Sequence, residues 1–192
     1  ADLASQLVGV YRMMSQAGEE GAGGFYTASE FDLAPLLQTG RPMMELGRSC
    51  LRKPYRGGPA MFYLWQALAQ HVTHRGVEIL FGTASFAGKD VGALTAPLCL
   101  LRREHQAQAQ LRPKAIGAGA VPLGAAGEFE IDRLAALRAM LALIKAYLRL
   151  GGCVGEGAYV DAAFNTVDVC MVLDVLAMNP RQKAIYLNGS EQ

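Results

Sequence analysis

The stretch from residue 43 to residue 86 decides the fold. It begins with the apolar run MMELGRSCL at 43–51, continues through the turn RKPYRGGP at 52–59, and ends with the run VEILFGTASF at 77–86. Between the turn and the second run, apolar side chains recur at the spacing that places them on one face of a helix. These residues are Met61, Leu64, Trp65, Leu68, Ala69 and Val72.

The order strand, turn, helix and strand is a βαβ unit. Pro59 suits the first helical turn, where its missing N–H leaves no hydrogen bond unmade, and Gly76 suits the helix exit. The crossover of such a unit is right-handed, so the strands at 43–51 and 77–86 are expected to be parallel. The second strand is apolar almost throughout, as expected of a strand covered on both faces.

Further elements extend this unit on both sides. Residues 7–14 are rich in strand formers and lead into AGEEGAGG at 17–24, which is typical of a loop. Downstream, residues 90–111 predict a helix and 112–127, rich in Gly, Ala and Pro, predict a long loop.

The last part of the chain completes the pattern. Asp132 is placed to cap a strongly amphipathic helix that runs to residue 150, where two glycines end it. The alternation of apolar and polar residues at 166–176 predicts a half-buried strand. The whole sequence therefore predicts an α/β fold with a mixed, twisted sheet flanked by helices.

Composition limits the classes of function. With 192 residues, 52% of them hydrophobic, the chain can bury one core, and we expect one domain over residues 1–192. Eighteen Lys and Arg nearly balance seventeen Asp and Glu, so no nucleic-acid partner is expected. No apolar run approaches the roughly twenty residues of a membrane span. A strand-like run follows closely on Ala1, so we expect an N-terminal segment of the domain to be missing.

The four cysteines suggest neither a metal site nor a disulfide framework. Cys50, Cys99, Cys153 and Cys170 are scattered, with no CxxC pair and no histidine at ligand spacing. Each lies among apolar neighbours, and no signal peptide is evident. We therefore expect reduced, buried thiols, a cytoplasmic location and no metal.

Glu45 and Arg48 are the candidate catalytic residues. On a regular strand Glu45 and Gly47 share one face and Arg48 lies on the other, unless a bulge at the glycine rotates the register. In the functional interpretation, Glu45 serves as, or orients, a base for an amine nucleophile, and Arg48 holds a carboxylate or another anionic group. The alternative is that both make ordinary ion pairs on a sheet face.

The turn after this strand is strongly basic. Arg48, Arg52, Lys53 and Arg56 lie within a few residues of one another, without an acidic neighbour, just before a helix N-terminus. Such a position favours anions, so a phosphate, pyrophosphate or phosphopantetheine arm is the expected ligand. A solvated basic turn is the alternative. Pro59 removes one backbone donor, which favours a ligand that needs fewer backbone contacts than coenzyme A.

Several of these segments resemble a known family. The run MELGRSCLRKPYRGGPAMFYLWQALAQHV at 44–72 is followed by ILFGTASF at 79–86, and later by KAYLRLGG at 145–152, FNTVDVCMVL at 164–173 and NP at 179–180. Together they resemble the bacterial L-ornithine N-alpha-acyltransferases, which make the first intermediate of ornithine lipids. That family is GNAT-like and is distantly similar to acyl-homoserine lactone synthases, whose strand also carries Glu, two residues, then Arg.

The resemblance implies a reaction and its substrates. The acyl donor would be an acyl carrier protein that bears a fatty acyl chain, commonly 3-hydroxylated, as a phosphopantetheine thioester. The acceptor would be the α-amine of ornithine or a related amino acid, and no cofactor would be tightly bound. Glu45 and Arg48 would form the centre of the site, and peripheral association with the inner membrane would fit such a product.

The resemblance also implies donor-side residues. The turn from Arg52 to Ala60 corresponds to the GNAT pyrophosphate loop, although Tyr55 stands where Gln or Arg is usual, which favours a carrier protein over coenzyme A. The implied donor-binding residues are Arg52, Tyr55, Arg56, Gly57, Gly58, Ala60, Ala84 and Ser85. A basic rim for carrier-protein docking would comprise Arg52, Lys53, Arg102 and Arg103.

Two other functions remain open at this stage. One is an acetyltransferase of the same fold that uses acetyl-coenzyme A. The other is a non-catalytic module that binds a lipid or a carrier protein, which a missing N-terminal segment would favour. Neither the acceptor amino acid nor the acyl chain length follows from the sequence.

Overall fold

A computed structural model describes residues 6–124, 131–178 and 181. Its strands are β1 (Gly9–Ser15), β2 (Phe31–Asp32), β3 (Met43–Leu51), β4 (Ile79–Ala87), β5 (Lys114–Ala115), β6 (Ala120–Val121), β7 (Cys153–Val154), β8 (Ala158–Asp161) and β9 (Thr166–Asp174). Its α-helices are α1 (Gln16–Ala22), α2 (Ala34–Leu37), α3 (Ala60–His74), α4 (Thr95–His105), α5 (Arg133–Ala139) and α6 (Ala142–Arg149). Short 3-10 turns occupy Tyr26–Ser29, Lys53–Tyr55 and Ala109–Leu111.

The main sheet is mixed and has the order β1-β3-β4-β9-β8-β6, with β7 beside the second half of β9. Strands β3 and β4 are parallel, and the other pairs of this sheet are antiparallel. The predicted α/β class, the βαβ unit and the parallel strand pair are therefore confirmed.

The parallel pair is short, because β3 and β4 diverge after three residues. Met43 to Glu45 pair with Ile79 to Phe81, and beyond this point β3 follows β1 while β4 follows β9. Gly82 stands where the strands part. A Cβ at this position would collide with the carbonyl oxygen of Leu46, so only glycine allows the approach.

Each face of the sheet packs on its own hydrophobic cluster. Met43, Ile79 and Phe81 point to one cluster, which contains Phe25 and Phe31 from the segment after α1. Their neighbours along the strands point to the other face, against residues of the helices α3, α4, α5 and α6. This alternation follows from the pleat of the strands and fixes which side chains of β3 are available for chemistry.

The loop prediction for residues 17–24 is wrong, because α1 occupies most of it. Ser15 caps this helix by accepting a hydrogen bond from Gly18 N, and Gly23 ends it in the left-handed conformation. Local caps at both ends thus offset the low helix propensity of the internal glycines.

The single helix predicted for residues 133–150 is also wrong, since two helices occupy this segment. Asp132 caps α5 as predicted, with its carboxylate accepting from Ala135 N. Met140 and Leu141 then adopt extended backbone angles, and α6 starts at Ala142. The break buries Met140 while it leaves Leu141 at a cavity described below.

The strand predicted at 166–176 is present as β9, but it is not half-buried. All residues from Val167 to Leu173 are buried, including the polar Asp168. The reason is that both faces of this central strand are covered, since Val167, Val169, Met171 and Leu173 belong to one hydrophobic cluster and Cys170 and Val172 to the other. The dipeptide at 179–180 and the last part of the loop predicted at 112–127 lie outside the described residues.

The helices within the described ranges are all too short or too polar to cross a membrane.

Candidate active site

The divergence of β3 and β4 opens a cavity of about 310 Å³ in the middle of the sheet. Its lining comes from β1, β3 and β4, from the segment after α1, and from the starts of α6 and β9. The lining residues are Arg12, Tyr26, Thr27, Glu45, Leu46, Gly47, Arg48, Ser49, Thr83, Ala84, Ser85, Leu141, Leu143, Phe164 and Asp168. Both predicted catalytic residues are therefore in one cavity, together with Ala84 and Ser85 from the predicted donor side.

Glu45 lies at the bottom of this cavity and is fully engaged. Its side chain is 1% exposed. One oxygen accepts from Thr27 N at 2.6 Å, and the other accepts from Tyr26 N at 3.2 Å and from Arg12 Nη2 at 3.1 Å. Three N–H donors satisfy a buried carboxylate well. Glu45 thus ties β1 and the turn after α1 to the strand that carries Arg48.

A bulge in β3 brings Arg48 to the same cavity. Val10 pairs with Cys50 and Arg12 with Gly47, so two residues of β3 lie opposite Tyr11 alone. Arg48 occupies the bulge with φ of 52°, which is uncommon for a residue with a side chain. The predicted irregularity next to Gly47 is confirmed, and it explains how Glu45 and Arg48 can line one cavity.

Gly47 has a separate role beside the bulge. A Cβ at this position would lie 3.1 Å from Arg12 Nη2, so the absence of a side chain makes room for the guanidinium that binds Glu45.

Arg48 is held by aromatic rings rather than by a carboxylate. Its guanidinium carbon lies 5.2 Å from the ring centre of Tyr26 and 5.5 Å from that of Phe164. Arg12 contacts the Tyr26 ring as well, at 5.7 Å. No salt bridge reaches Arg48 from residues 6–124, 131–178 or 181. The ordinary ion pair that was the alternative interpretation of Arg48 is therefore absent there, and the cation is available to an anionic ligand.

A cluster of three carboxylates adjoins the cavity. Glu30, Asp161 and Asp168 each offer one oxygen, and these oxygens lie within 4.8 Å of one another. Glu30 and Asp168 are both 3% exposed. Burial, and secondarily the charges of the two aspartates, raises the pKa of Glu30 to about 7, and burial also raises the pKa of Asp168.

This cluster was not predicted from the sequence. Asp168 was interpreted as a polar residue on the solvent side of an alternating strand, whereas β9 is central and its carboxylate is buried. A signal was present, because a nearly continuous apolar run that contains a carboxylate is unusual for a surface strand.

The predicted donor-binding residues of the turn after β3 border a different cavity. Tyr55, Gly58 and Ala60 line a space of about 590 Å³, between the start of β1, the end of β3 and the start of α3. Arg56 is exposed and donates from Nε to the carbonyl oxygen of Leu51 at 3.0 Å. Arg52 and Gly57 are exposed too. The structure thus divides the predicted donor site, since Ala84 and Ser85 belong to the cavity between β3 and β4.

The predicted docking residues also fall into two groups. Arg52 and Lys53 lie in the exposed turn before α3, whereas Arg102 and Arg103 lie exposed in the last turn of α4. Arg102 borders a third cavity, of about 500 Å³. Docking of a carrier protein by these residues stays a prediction.

The fold agrees with the comparisons with known proteins. Residues 1–66 match the acetyltransferase (GNAT) domain family, a range that includes β1, β3 and the predicted catalytic residues. No solved structure is significantly similar to the chain. The architecture, a mixed sheet with a parallel pair that diverges over a lined cavity, is that of a GNAT-type acyltransferase.

Curated relatives define the family more closely. The chain is 48% identical over 97% of its length to an L-ornithine N(alpha)-acyltransferase of Rhodobacter capsulatus, of which it covers 71%. It is 37% identical to an enzyme of the same name from Agrobacterium fabrum, of which it covers 66%, and 36% identical to one from Rhizobium meliloti, of which it covers 62%. The chain therefore belongs to the L-ornithine N(alpha)-acyltransferase family and is an acyltransferase.

Proposed function

We propose that this chain transfers a fatty acyl group, commonly 3-hydroxylated, from an acyl carrier protein to the α-amine of ornithine or a related amino acid. The product would be an N-acyl amino acid of the lyso-ornithine-lipid type. The observation that carries the proposal is an arginine without an ion-pair partner among the described residues, Arg48, at the cavity where β3 and β4 diverge. The names of the relatives support ornithine as the acceptor.

Arg48 is the proposed ligand of the acceptor carboxylate. A guanidinium binds a carboxylate with two parallel hydrogen bonds, which fixes the orientation of an amino acid as well as its position. The rings of Tyr26 and Phe164 hold the guanidinium in place without using its N–H donors in an ion pair. Glu45 acts through other groups: with three N–H donors on its oxygens, it is a positioning residue for Arg12 and the Tyr26–Thr27 backbone.

The reaction needs the α-amine as the free base. Its nitrogen attacks the thioester carbonyl carbon, a C–N bond forms, the C–S bond breaks, and the proton lost by nitrogen ends on the departing thiol. The negative charge that develops on the carbonyl oxygen must be stabilised by hydrogen-bond donors. Backbone N–H groups of β3 and β4 beyond Glu45 and Phe81 are the proposed donors, because these residues form no β3–β4 pairs.

The acyl chain and its carrier are proposed to approach from the open side of the cavity. Leu141 and Leu143 provide an apolar border there. The basic residues Arg52, Lys53, Arg102 and Arg103 are proposed to meet the acidic carrier protein, and such an encounter weakens with added salt. Peripheral association with a membrane would keep the lipidic product close to its next enzyme.

An assay with purified protein tests the proposal. Acyl carrier protein loaded with a 3-hydroxyacyl chain is incubated with the whole chain and a panel of ornithine, lysine, glutamine and glycine, and products are identified by mass spectrometry. An N-acylated amino acid that depends on the carrier-bound donor supports the proposal. Acetyl-coenzyme A serves as the competing donor: transfer from it alone indicates an acetyltransferase. Transfer from neither donor, by protein whose folding is verified by circular dichroism, contradicts the proposed donor and acceptor.

A further inference from the structure

The carboxylate cluster beside the cavity has no cation to balance it. None of the five salt bridges within the described ranges involves Glu30, Asp161 or Asp168. The buried oxygens Glu30 Oε2 and Asp168 Oδ1 accept no well-formed hydrogen bond in that part of the chain, although Ser85 and Thr166 lie close enough to Asp168 to lower its pKa. Buried acceptors without donors are costly, so a group that satisfies them is expected.

A second observation connects the cluster to a ligand. Thr27 is 0% exposed, and its hydroxyl has no hydrogen-bond partner within the described residues. It lines the same cavity as Asp168, and Glu30 N donates to its backbone oxygen at 3.1 Å. The Thr27 hydroxyl and one carboxylate oxygen of Asp168 are thus buried without a partner at one cavity wall, which favours a polar ligand at that wall.

The spacing of the three oxygens suits an ammonium group. An alkylammonium carries three N–H donors in tetrahedral directions, and acceptors at about 2.8 Å from the nitrogen are then about 4.6 Å apart. The three oxygens here lie within 4.8 Å of one another, a bound that is compatible with one –NH₃⁺ in contact with all three.

We propose that Glu30, Asp161 and Asp168 bind the side-chain ammonium group of a diamino-acid acceptor and thereby select such acceptors over neutral amino acids. This inference rests on the proposed function, because it concerns the acceptor of the same cavity. Arg48 and Asp168 line that cavity together, so one amino acid can place its carboxylate at the first and its side-chain amine at the second.

The bound amine is the one that does not react. Three carboxylates around an ammonium strongly favour its charged form, and a protonated amine has no lone pair for attack on a thioester. The cluster therefore holds the side-chain amine inert while the α-amine, away from it, loses its proton and reacts. Selection of the α position follows from this arrangement. A negative cluster with a buried, protonatable Glu30 can also remain neutralised by protons until the ligand arrives.

Ornithine and norvaline are the matched pair that tests the proposal. Norvaline has the same carbon chain and lacks only the side-chain amine. In acyl transfer from loaded carrier protein, the wild type is expected to prefer ornithine by about 100-fold or more in kcat/KM, because a site built for a polar group rejects the analogue without it. Asp161→Asn and Glu30→Gln are expected to raise KM for ornithine about tenfold or more and so to reduce the preference for ornithine over norvaline by a similar factor. Equal losses on both acceptors would overturn the proposal.

Calorimetry separates this proposal from the proposed function, because it needs no turnover. Ornithine is titrated into the wild-type chain without an acyl donor, and then norvaline and Mg²⁺ are titrated in the same way. The ammonium site is supported if ornithine binds, norvaline does not, and Asp161→Asn no longer binds ornithine. This result supports the site even if no acyl transfer is found. Equal binding of both amino acids, or binding of Mg²⁺ without ornithine, overturns it.

Two controls separate loss of the site from nonspecific effects of the substitutions. Glu104→Gln removes an exposed carboxylate that pairs with Arg133 outside the cavity, and its ornithine affinity should equal that of the wild type. The melting temperatures of Asp161→Asn and Glu30→Gln should be equal to or above that of the wild type, since each substitution relieves repulsion between like charges. A large decrease in both, with loss of ornithine binding, would assign the cluster to folding and contradict the proposal.

Discussion

The two ends of β9 carry the same residue type in opposite electrostatic settings. At the end of the strand, Asp174 accepts from both terminal nitrogens of Arg41, at 2.6 Å and 3.0 Å, and the same arginine donates from Nε to Glu78 at 2.8 Å. Near its start, Asp168 lies with Glu30 and Asp161 and has no arginine or lysine as an ion-pair partner within the described residues. We call the first set the paired end and the second the unpaired end.

The pKa values record this difference. The hydrogen bond from Arg41 is the main cause that lowers the pKa of Asp174, whereas burial raises the pKa of Asp168. Nothing in the strand pattern distinguishes the two aspartates, so the difference comes from what the rest of the fold places beside them. At the paired end, Arg41 links the segments just before β3 and β4 to the end of β9, and this link stabilises the fold. The unpaired end stores unfavourable charge at a cavity, which is typical of a functional site.

The largest effect is expected at the cavity, from Arg48→Ala. This change removes the proposed ligand of the acceptor carboxylate, and kcat/KM for ornithine should fall by about 100-fold or more. The stability should change little, because Arg48 is exposed and forms no ion pair with the described residues. Steady-state kinetics and urea unfolding measure the two effects. An unchanged kcat/KM would remove Arg48 from the site.

Arg41→Ala should give the reverse pattern at the paired end. It leaves Glu78 and Asp174 close together without their common cation, and the free energy of unfolding should fall by about 2 kcal/mol, with part of the charge effect screened by solvent. The activity per folded molecule should be retained. Arg75→Ala, at an exposed helix end, is the matched control and should be neutral. Loss of activity without loss of stability would contradict the assignment of this end to the scaffold.

A smaller effect concerns pH, through Glu30. Its pKa rises from 4.5 to about 7 on folding, so the folded state binds more protons than the unfolded state between these values. Its stabilising contribution is therefore complete below about pH 4.5 and is lost as the pH rises to about 7. Glu30→Gln should remove this loss, which we expect to be about 1 kcal/mol because the neighbouring aspartates titrate too.

Urea unfolding at several pH values measures the difference between Glu30→Gln and the wild type. A constant difference across this pH range would show that the folded state does not hold Glu30 protonated.

Much of the fold follows from the sequence between residues 43 and 86. The bounds of β3 and α3 and the parallel pairing come from local patterns and a handedness rule, which need no distant contacts. A site centred on Glu45 and Arg48 stays a prediction; the structure places both residues at one cavity, and the bulge that brings them together depends on pairing with β1. Which residues of β1 would pair with β3 was not visible in the sequence.

The features that the sequence did not predict depend on contacts between residues far apart in the chain. The break between α5 and α6 occurs without a proline or a glycine, and β9 is buried because hydrophobic clusters from distant segments cover both of its faces. The unpaired end unites residues from three distant segments, at 30, 161 and 168. No local pattern shows that these three segments come together, and the carboxylate within the apolar run of β9 was the single partial signal.

The contrast between the two ends is tested most directly by thermal unfolding with and without ornithine. At saturation, ornithine should raise the melting temperature of the wild type by roughly 5–10 °C, and norvaline should not. Asp168→Asn should abolish this increase, whereas Asp174→Asn should lower the melting temperature yet keep the increase. If both variants keep the ornithine effect, or both lose it, the assignment of one end to ligand binding and the other to stability is wrong.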